Sequence, residues 1–399
     1  MVRTAALVGV VALVALLVSG CEKRAGLLAA QRDARVPSTT SAPKPPPTWR
    51  LGQTVTTKAT SVLRDVVAVD ATHAWAVGLD AYDPANPDAT GVPFVQRWDG
   101  RTWSRVDLPG VTWHGGLSLV AADSATNVWA VGSSRPAPAG AVVRVLRHDG
   151  DTWAEVPLPA GTTAGTTITD LAVAGGHTWL TGYRGGQVVV LQWDGLTWQR
   201  HAPPAECTQG GTSFGGIPTF CNFTGITAFA TDDVWVAGNA AWPGFKGPLL
   251  FHWDGTRWTP VEVGLTNAVT SFSEIAGRPG DLWAVGHTAG YGGPIAVQGD
   301  GRTWRVVEGL PTARHTDVAV DADGNPWVLE NFPKPSATLA TFRDGRWAGT
   351  EAPLPPDTVG ISLHGITAVP GTPRMFAVGN VDLPGRPRLL QSVVLEYRR

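Results

Sequence analysis

The chain has 399 residues and a formal net charge of −2, and it carries no basic run, which excludes the electrostatic footprint that nucleic acid requires. Its 48 glycines, 32 prolines and 18 tryptophans, with only 16% charged residues, suit many short strands joined by tight turns. The length exceeds that of an ordinary domain but is common for repeat architectures that form one body.

Residues 1–20 read as a targeting segment. Arg3 gives a positive start, and Ala5 to Val18 form an apolar run too short for an ordinary membrane span. Val18-Ser19-Gly20-Cys21 then resembles the bacterial lipobox. That resemblance implies cleavage before Cys21, lipidation of Cys21 with chains such as palmitate, and an extracytoplasmic protein held on the bacterial cell membrane. Each buried methylene of such an anchor contributes about 0.8 kcal/mol. Residues 21–47 are first charged and then rich in Ser, Thr and Pro, ending in Ala42-Pro43-Lys44-Pro45-Pro46-Pro47. Such a stretch cannot bury enough apolar surface to order itself, so it reads as an extended tether to a folded body over 48–399.

One pattern then repeats to the end. Trp98-Asp99-Gly100-Arg101-Thr102-Trp103 is a hairpin signal: Asp-Gly tolerates the positive φ of a tight turn, and the flanking aromatics favour extended chain. Side chains alternate across a strand, so a loop of two or of four residues places both tryptophans on one face. The Asp-Gly pair recurs at Asp99, Asp149, Asp194, Asp254, Asp300 and Asp344, followed by Trp at 103, 153, 198, 258, 304 and 347. The copy at Asp344 is one residue shorter, so either its Trp changes face or its turn adjusts. Upstream of each turn stands Trp-x-x-Gly, beginning at Trp75, Trp129, Trp179, Trp235 and Trp283, with Trp327-Val328-Leu329-Glu330 and Phe376-Ala377-Val378-Gly379 as degenerate copies.

The last unit stops after its third strand, at Val393 to Arg399. Thr48-Trp49-Arg50-Leu51 resembles Thr102-Trp103-Ser104-Arg105 but has no first three strands of its own. The N-terminal strand is therefore expected to complete the last blade of a closed ring. This predicts an all-β, seven-bladed β-propeller of four-stranded blades, at about 50 residues per blade. The repeat resembles the kelch-like, galactose-oxidase-like propellers of secreted bacterial proteins. Gly100-Arg101-Thr102-Trp103, Gly150-Asp151-Thr152-Trp153 and Gly301-Arg302-Thr303-Trp304 also resemble half of the sialidase Asp-box. The Asp-box has a residue between Asp and Gly that is missing here, and the paired glycine of kelch repeats is single.

A propeller assigns faces. Loops from second to third strand share one face with those leading into the next blade, and the Asp-Gly turns lie opposite. The long loops 79–93, 133–141, 239–248 and 287–294 bring Tyr82, Trp242 and Tyr291 to the first face, together with Tyr183 and the loop between Cys207 and Cys221. Long loops on a rigid scaffold are where binding resides. The two cysteines are expected to pair in oxidising surroundings. At the channel entrance, Arg64, Asp65, Asp170, His315, Asp317 and His364 are candidates for a polar ligand site, or alternatively for satisfying backbone donors of neighbouring blades. No two histidines have zinc-ligand spacing, and no cofactor or metal is expected. The recurrent aspartates are turn residues, because a catalytic acid and base must flank one bond within about 5–10 Å. No catalytic residue is assigned. The reading is a non-enzymatic module that binds a protein or glycan, with a channel-mouth glycan hydrolase or lyase and a structural component of an envelope complex as alternatives.

Overall fold

The computed structural model describes residues 48–398 except 54, 56–59, 84–89, 135–140, 209–219, 243–244, 266–269, 289–292, 312–314, 332–334 and 386–388. The signal segment, Cys21 and the tether lie outside the described residues. From Thr48 on, seven antiparallel sheets of four strands form a ring, a seven-bladed β-propeller. The first blade runs Thr60–Asp70, His73–Tyr82, Thr90–Trp98 and Trp103–Val106 from the inside out. The innermost strands of the next five blades are Gly115–Ser124, Thr166–Ala174, Phe220–Ala230, Thr270–Arg278 and His315–Val320. The seventh blade comprises Gly360–Ala368, Met375–Leu383 and Leu389–Arg398, and Thr48–Leu51 pairs with the last of these as its outermost strand, Trp49 opposite Tyr397. The ring is thus closed by the N-terminal strand. The one helix among the described residues is Ala205–Thr208.

Tryptophan holds neighbouring blades together. Trp129 of the second blade, fully buried, lies 5.6 Å from both Trp193 and Trp198, the pair flanking the third blade's Asp-Gly turn. Trp179 meets Trp253 and Trp258 of the fourth blade in the same way, and Trp283 meets Phe342 and Trp347 of the sixth. At the closure Trp327 packs on Trp49 and Tyr397, and Phe376 packs on Trp98 and Trp103 of the first blade. Each contact is edge-on or tilted, the arrangement favoured by the ring quadrupoles and worth about 0.5–1.5 kcal/mol beyond area burial.

The Asp-Gly turns span four residues in the first five blades, as Trp98 pairs with Trp103 and Trp193 with Trp198. In the sixth blade the turn adjusts instead of the Trp changing face. Arg343 pairs with Arg346 around a two-residue turn in which both Asp344 and Gly345 have positive φ, so Phe342 now stands opposite Trp347. A one-residue deletion is absorbed by moving the aromatic one place upstream.

The glycine of Trp-x-x-Gly has a steric cause. In every blade the innermost strand carries a bulge, at Arg64, Ser118, Thr169, Thr224, Ser273, Thr316 and His364. Just before the bulge a carbonyl presses on the second strand. A Cβ on Gly132 would stand 2.1 Å from the Gly116 oxygen, and one on Gly182 would stand 2.1 Å from the Thr167 oxygen. No side chain fits at that distance.

Candidate functional site

The two faces differ in what their side chains are free to do. On the turn face the recurrent aspartates are engaged by their own turns. Asp99 Oδ1 accepts from the amides of Arg101 (2.8 Å) and Thr102 (2.7 Å), and Asp149, Asp194, Asp254 and Asp300 repeat the arrangement. Hydrogen bonds from these amides favour the ionised form, and those of Asp194, together with the Thr256 hydroxyl on Asp254, hold both carboxyls at a pKa of about 2.

The bulges line the ring's inner wall with polar groups, and in three blades the residue after the bulge is an aspartate that turns toward the next blade. Asp65 Oδ2 accepts from the Val120 amide of the second blade at 2.7 Å, while its Oδ1 accepts from Val66. Asp170 bridges to Ile226 of the fourth blade at 2.6 Å, and Asp317 bridges to Ile366 of the seventh at 2.7 Å. These three carboxyls therefore join blades one to two, three to four and six to seven. Between them Thr169 and Thr224 hydroxyls donate to the Phe223 and Phe272 carbonyls, extending the same stitching. His364 lies with Nε2 3.0 Å from Asn380 Oδ1 within its own blade.

Glu274 joins this set, a residue that the sequence pattern did not single out. It follows the bulge at Ser273 in the fifth blade and shares a side-chain hydrogen bond with Asp170, two blades back. Desolvation is the leading cause that raises all four carboxyls, Asp170 and Asp317 to about 7 and Asp65 and Glu274 well above the usual range, with like charge adding to it at Asp65, Glu274 and Asp317. Each is half-buried by area; protein nonetheless surrounds each group, and that enclosure governs its titration. The available sequence signal is position: Glu274 stands nine residues before Trp283, as Asp170 stands nine before Trp179. Among the described residues no group of three or more His, Cys, Asp or Glu is placed to hold a metal ion.

Arg64 and Tyr82 come together. They line one cavity of about 620 Å³ on the loop face, between the first, second and seventh blades. Leu79, Ser118, Ser133 and Leu390 contribute to the same wall, and Gly116 sits so close to Leu79 that a Cβ would stand 2.9 Å from that side chain. Arg64 is the bulge residue itself, so the bulge aims it out of the ladder and into the cavity. No hydrogen bond or ion pair engages its guanidinium among the described residues. Arg64 is exposed by area, yet the surrounding protein desolvates its guanidinium enough to lower its pKa.

The other candidates are not gathered there. Tyr183 is 41% exposed on the third blade. Trp242 ends the strand Asp233–Trp242 and His315 begins His315–Val320, but their side chains lie outside the described residues, as does Tyr291 altogether. Cys207 and Cys221 form a disulfide with Cα atoms 5.4 Å apart, tying the crossing from the third blade to the innermost strand of the fourth. Closing a loop of that length contributes about 3 kcal/mol in the chain-entropy account.

No protein-family profile and no curated protein matches the chain. Solved structures do. The fold is similar to that of YCF48 bound to D1 peptide, with a TM-score of 0.52 and 15% identity over 88% of this chain and 97% of that one. It is also similar to the GH74 xyloglucanase from Xanthomonas campestris, with a TM-score of 0.53 and 18% identity over 87% of this chain and 55% of that one. The chain thus spans about half the length of the xyloglucanase. A Trypanosoma rangeli sialidase matches at a TM-score of 0.47 and 11% identity, over 74% of this chain and 56% of the sialidase. Likeness at these identities is a likeness of fold.

Proposed function

We propose that the protein is a surface-anchored, non-enzymatic binding module that engages a protein or glycan with the loop-rich face of its propeller. The observation that carries this reading is the Arg64 cavity, in which a charged group with no partner among the described residues faces a space of ligand size. The engagement of the carboxyls supports it further. A glycan hydrolase or lyase needs an acid and a base free to act on one bond, whereas Asp65, Asp170 and Asp317 each hold two backbone amides and the turn-face aspartates hold their turns. That YCF48 is seen with a peptide supports the choice of a protein ligand.

Chain direction fits the same reading. Thr48 pairs with Arg398, so the chain enters the ring at the end where the other blades make their Asp-Gly turns. The test is photo-crosslinking in intact cells, with a photoreactive residue placed at Tyr82 or Tyr183 on the loop face or at Leu196 on the turn face. Specific adducts at the loop-face positions, absent at Leu196, are expected. Adducts only at Leu196, or none above background at any of the three, would overturn the reading, and one stoichiometric adduct in every cell would favour a structural envelope component.

A further inference from the structure

Resting on that reading, we propose that the Arg64 cavity receives the free C-terminal carboxylate of a protein partner whose last side chain is aliphatic. Three features of the cavity select this chemistry. Among the described residues its only charged wall residue is Arg64, and a guanidinium presents parallel N–H donors in a fork that matches both oxygens of a carboxylate. Around it stand the hydroxyls of Tyr82, Thr90 and Ser133, which can donate to the same anion, whereas that of Ser118 already donates to the Val131 carbonyl, and among the described residues no carboxylate lines the wall to compete with a ligand. The remaining side-chain surface is aliphatic and includes Leu79 and Leu390, both half-buried and therefore still able to gain from further burial.

Cation, hydroxyls and aliphatic wall share one enclosure of about 620 Å³. A ligand must therefore carry an anion and an apolar group on neighbouring atoms. The last residue of a polypeptide does so, because its carboxylate and its side chain spring from one Cα. An acidic side chain inside a chain would have to pass two backbone exits through the same mouth. A sugar acid fits less well: sugar rings are recognised by aromatic faces and by amide or carboxylate acceptors, and the described wall residues offer one aromatic, Tyr82, and neither acceptor side chain. A phosphate dianion would meet a single cation among the described residues. The arginine also has a reason to bind: the protein around it desolvates its guanidinium, and no counter-charge engages it among the described residues.

The experiment uses the purified full chain and an array of octapeptides ending in Leu, Val, Ala or Lys. Each peptide is made with a free C-terminal acid and as its amide, and an internal-Glu series and immobilised glucuronate and sialic acid oligosaccharides serve as comparators. Retention of Leu and Val acids roughly tenfold or more above their amides is expected. That preference should vanish in R64Q, persist only in part in R64K and be unchanged in L196A. Arg64 has no intramolecular partner among the described residues, so R64Q should fold as the parent does, and an unchanged thermal midpoint checks this. Equal retention of acids and amides, a preference that survives R64Q, or no retention at all would overturn the carboxylate proposal. Arg64-dependent retention of the internal-Glu peptides or acidic sugars alone would overturn the chain-terminus assignment. If loop-face crosslinks persist in R64Q while the acid preference is absent, this inference falls and the binding-module reading stands.

Discussion

Glu274 reaches Asp170 because the residue between them around the ring is Gly225: a Cβ there would stand 2.4 Å from Glu274 Oε1. Gly365 likewise leaves room for Asp65, whose Oδ1 would lie 2.9 Å from its Cβ. Gly225 and Gly365 thus make room on the inner wall for carboxyls from neighbouring blades. In the Asp170–Glu274 pair the proton sits on Glu274, which donates, and Asp170 accepts. Both groups hold protons in the folded state that an unfolded chain would release near the ordinary carboxyl range. For Asp170 and Asp317, no penalty arises below about pH 4, where both states are protonated; from about pH 4 to 7 the unfolded chain ionises first and stability falls; above about 7 their loss is complete, and Glu274, raised well above the usual range, acts in the same sense. The turn aspartates act in the opposite sense, their contribution being lost as pH falls from about 4 toward 2. Maximal stability is therefore expected in mildly acidic solution. In E274Q the amide still donates to Asp170 while one proton-holding group disappears, so the denaturation midpoint should fall less between about pH 5 and 7.5 than in the parent. Identical pH slopes in urea melts would mean that Glu274 holds no such proton.

At the scale of the strand, bulge and glycine form one device. The bulge gives each innermost strand an extra residue, turns Arg64 or His364 out of the ladder, and drives a carbonyl into the second strand, where only glycine fits. The sixth blade has Glu330 at this place, opposite His315, and the residues just before His315 lie outside the described residues. Gly132→Ala should therefore cost more than about 2 kcal/mol, because its Cβ would meet backbone that the ladder fixes on both sides. Gly280, with open space around it, serves as the comparison: the strain of its positive φ alone makes Gly280→Ala cost about 1 kcal/mol. Equal losses in guanidinium unfolding would remove the steric account. The same contrast explains what is legible in the sequence. Trp-x-x-Gly and Asp-Gly are set by contacts within one hairpin, so they recur as words, and their count yields the blades and the closing strand. Asp65, Asp170 and Asp317 are legible as polar residues at matching places, but their partners Val120, Ile226 and Ile366 are backbone amides one blade on, which no local pattern marks. Glu274 is concealed by a change of residue type at a conserved register. The Arg64 cavity is concealed because three separate blades build it.

For the molecule as a whole, the ring has one seam, and its chemistry can be moved. The seventh blade draws three strands from the end of the chain and one from the beginning, so separating the first blade from the seventh requires Thr48–Leu51 to leave Leu389–Arg398 and Trp49 to leave Trp327 and Tyr397. Thr48 and Arg398 are cross-strand partners, the same relation that Arg343 and Arg346 have around Asp344-Gly345. A two-residue Asp-Gly link from Arg398 to Thr48 would therefore supply the turn that the seventh blade lacks, and the chain could be opened at the exposed turn between Pro109 and Gly110. In that permutant every blade is built from consecutive strands, and nothing but packing between blades holds the first to the second. Because the blades and their aromatic contacts are unchanged, it should fold to the same ring, read by its far-ultraviolet circular dichroism and radius of gyration. Because no strand crosses the new seam, it should unfold faster in concentrated guanidinium by roughly tenfold or more, the rate change that about 1.4 kcal/mol of lost barrier gives. A permutant that folds and unfolds as slowly as the parent would show that the shared blade adds nothing to the ring's persistence, and that the edge contacts of the tryptophans alone keep it closed.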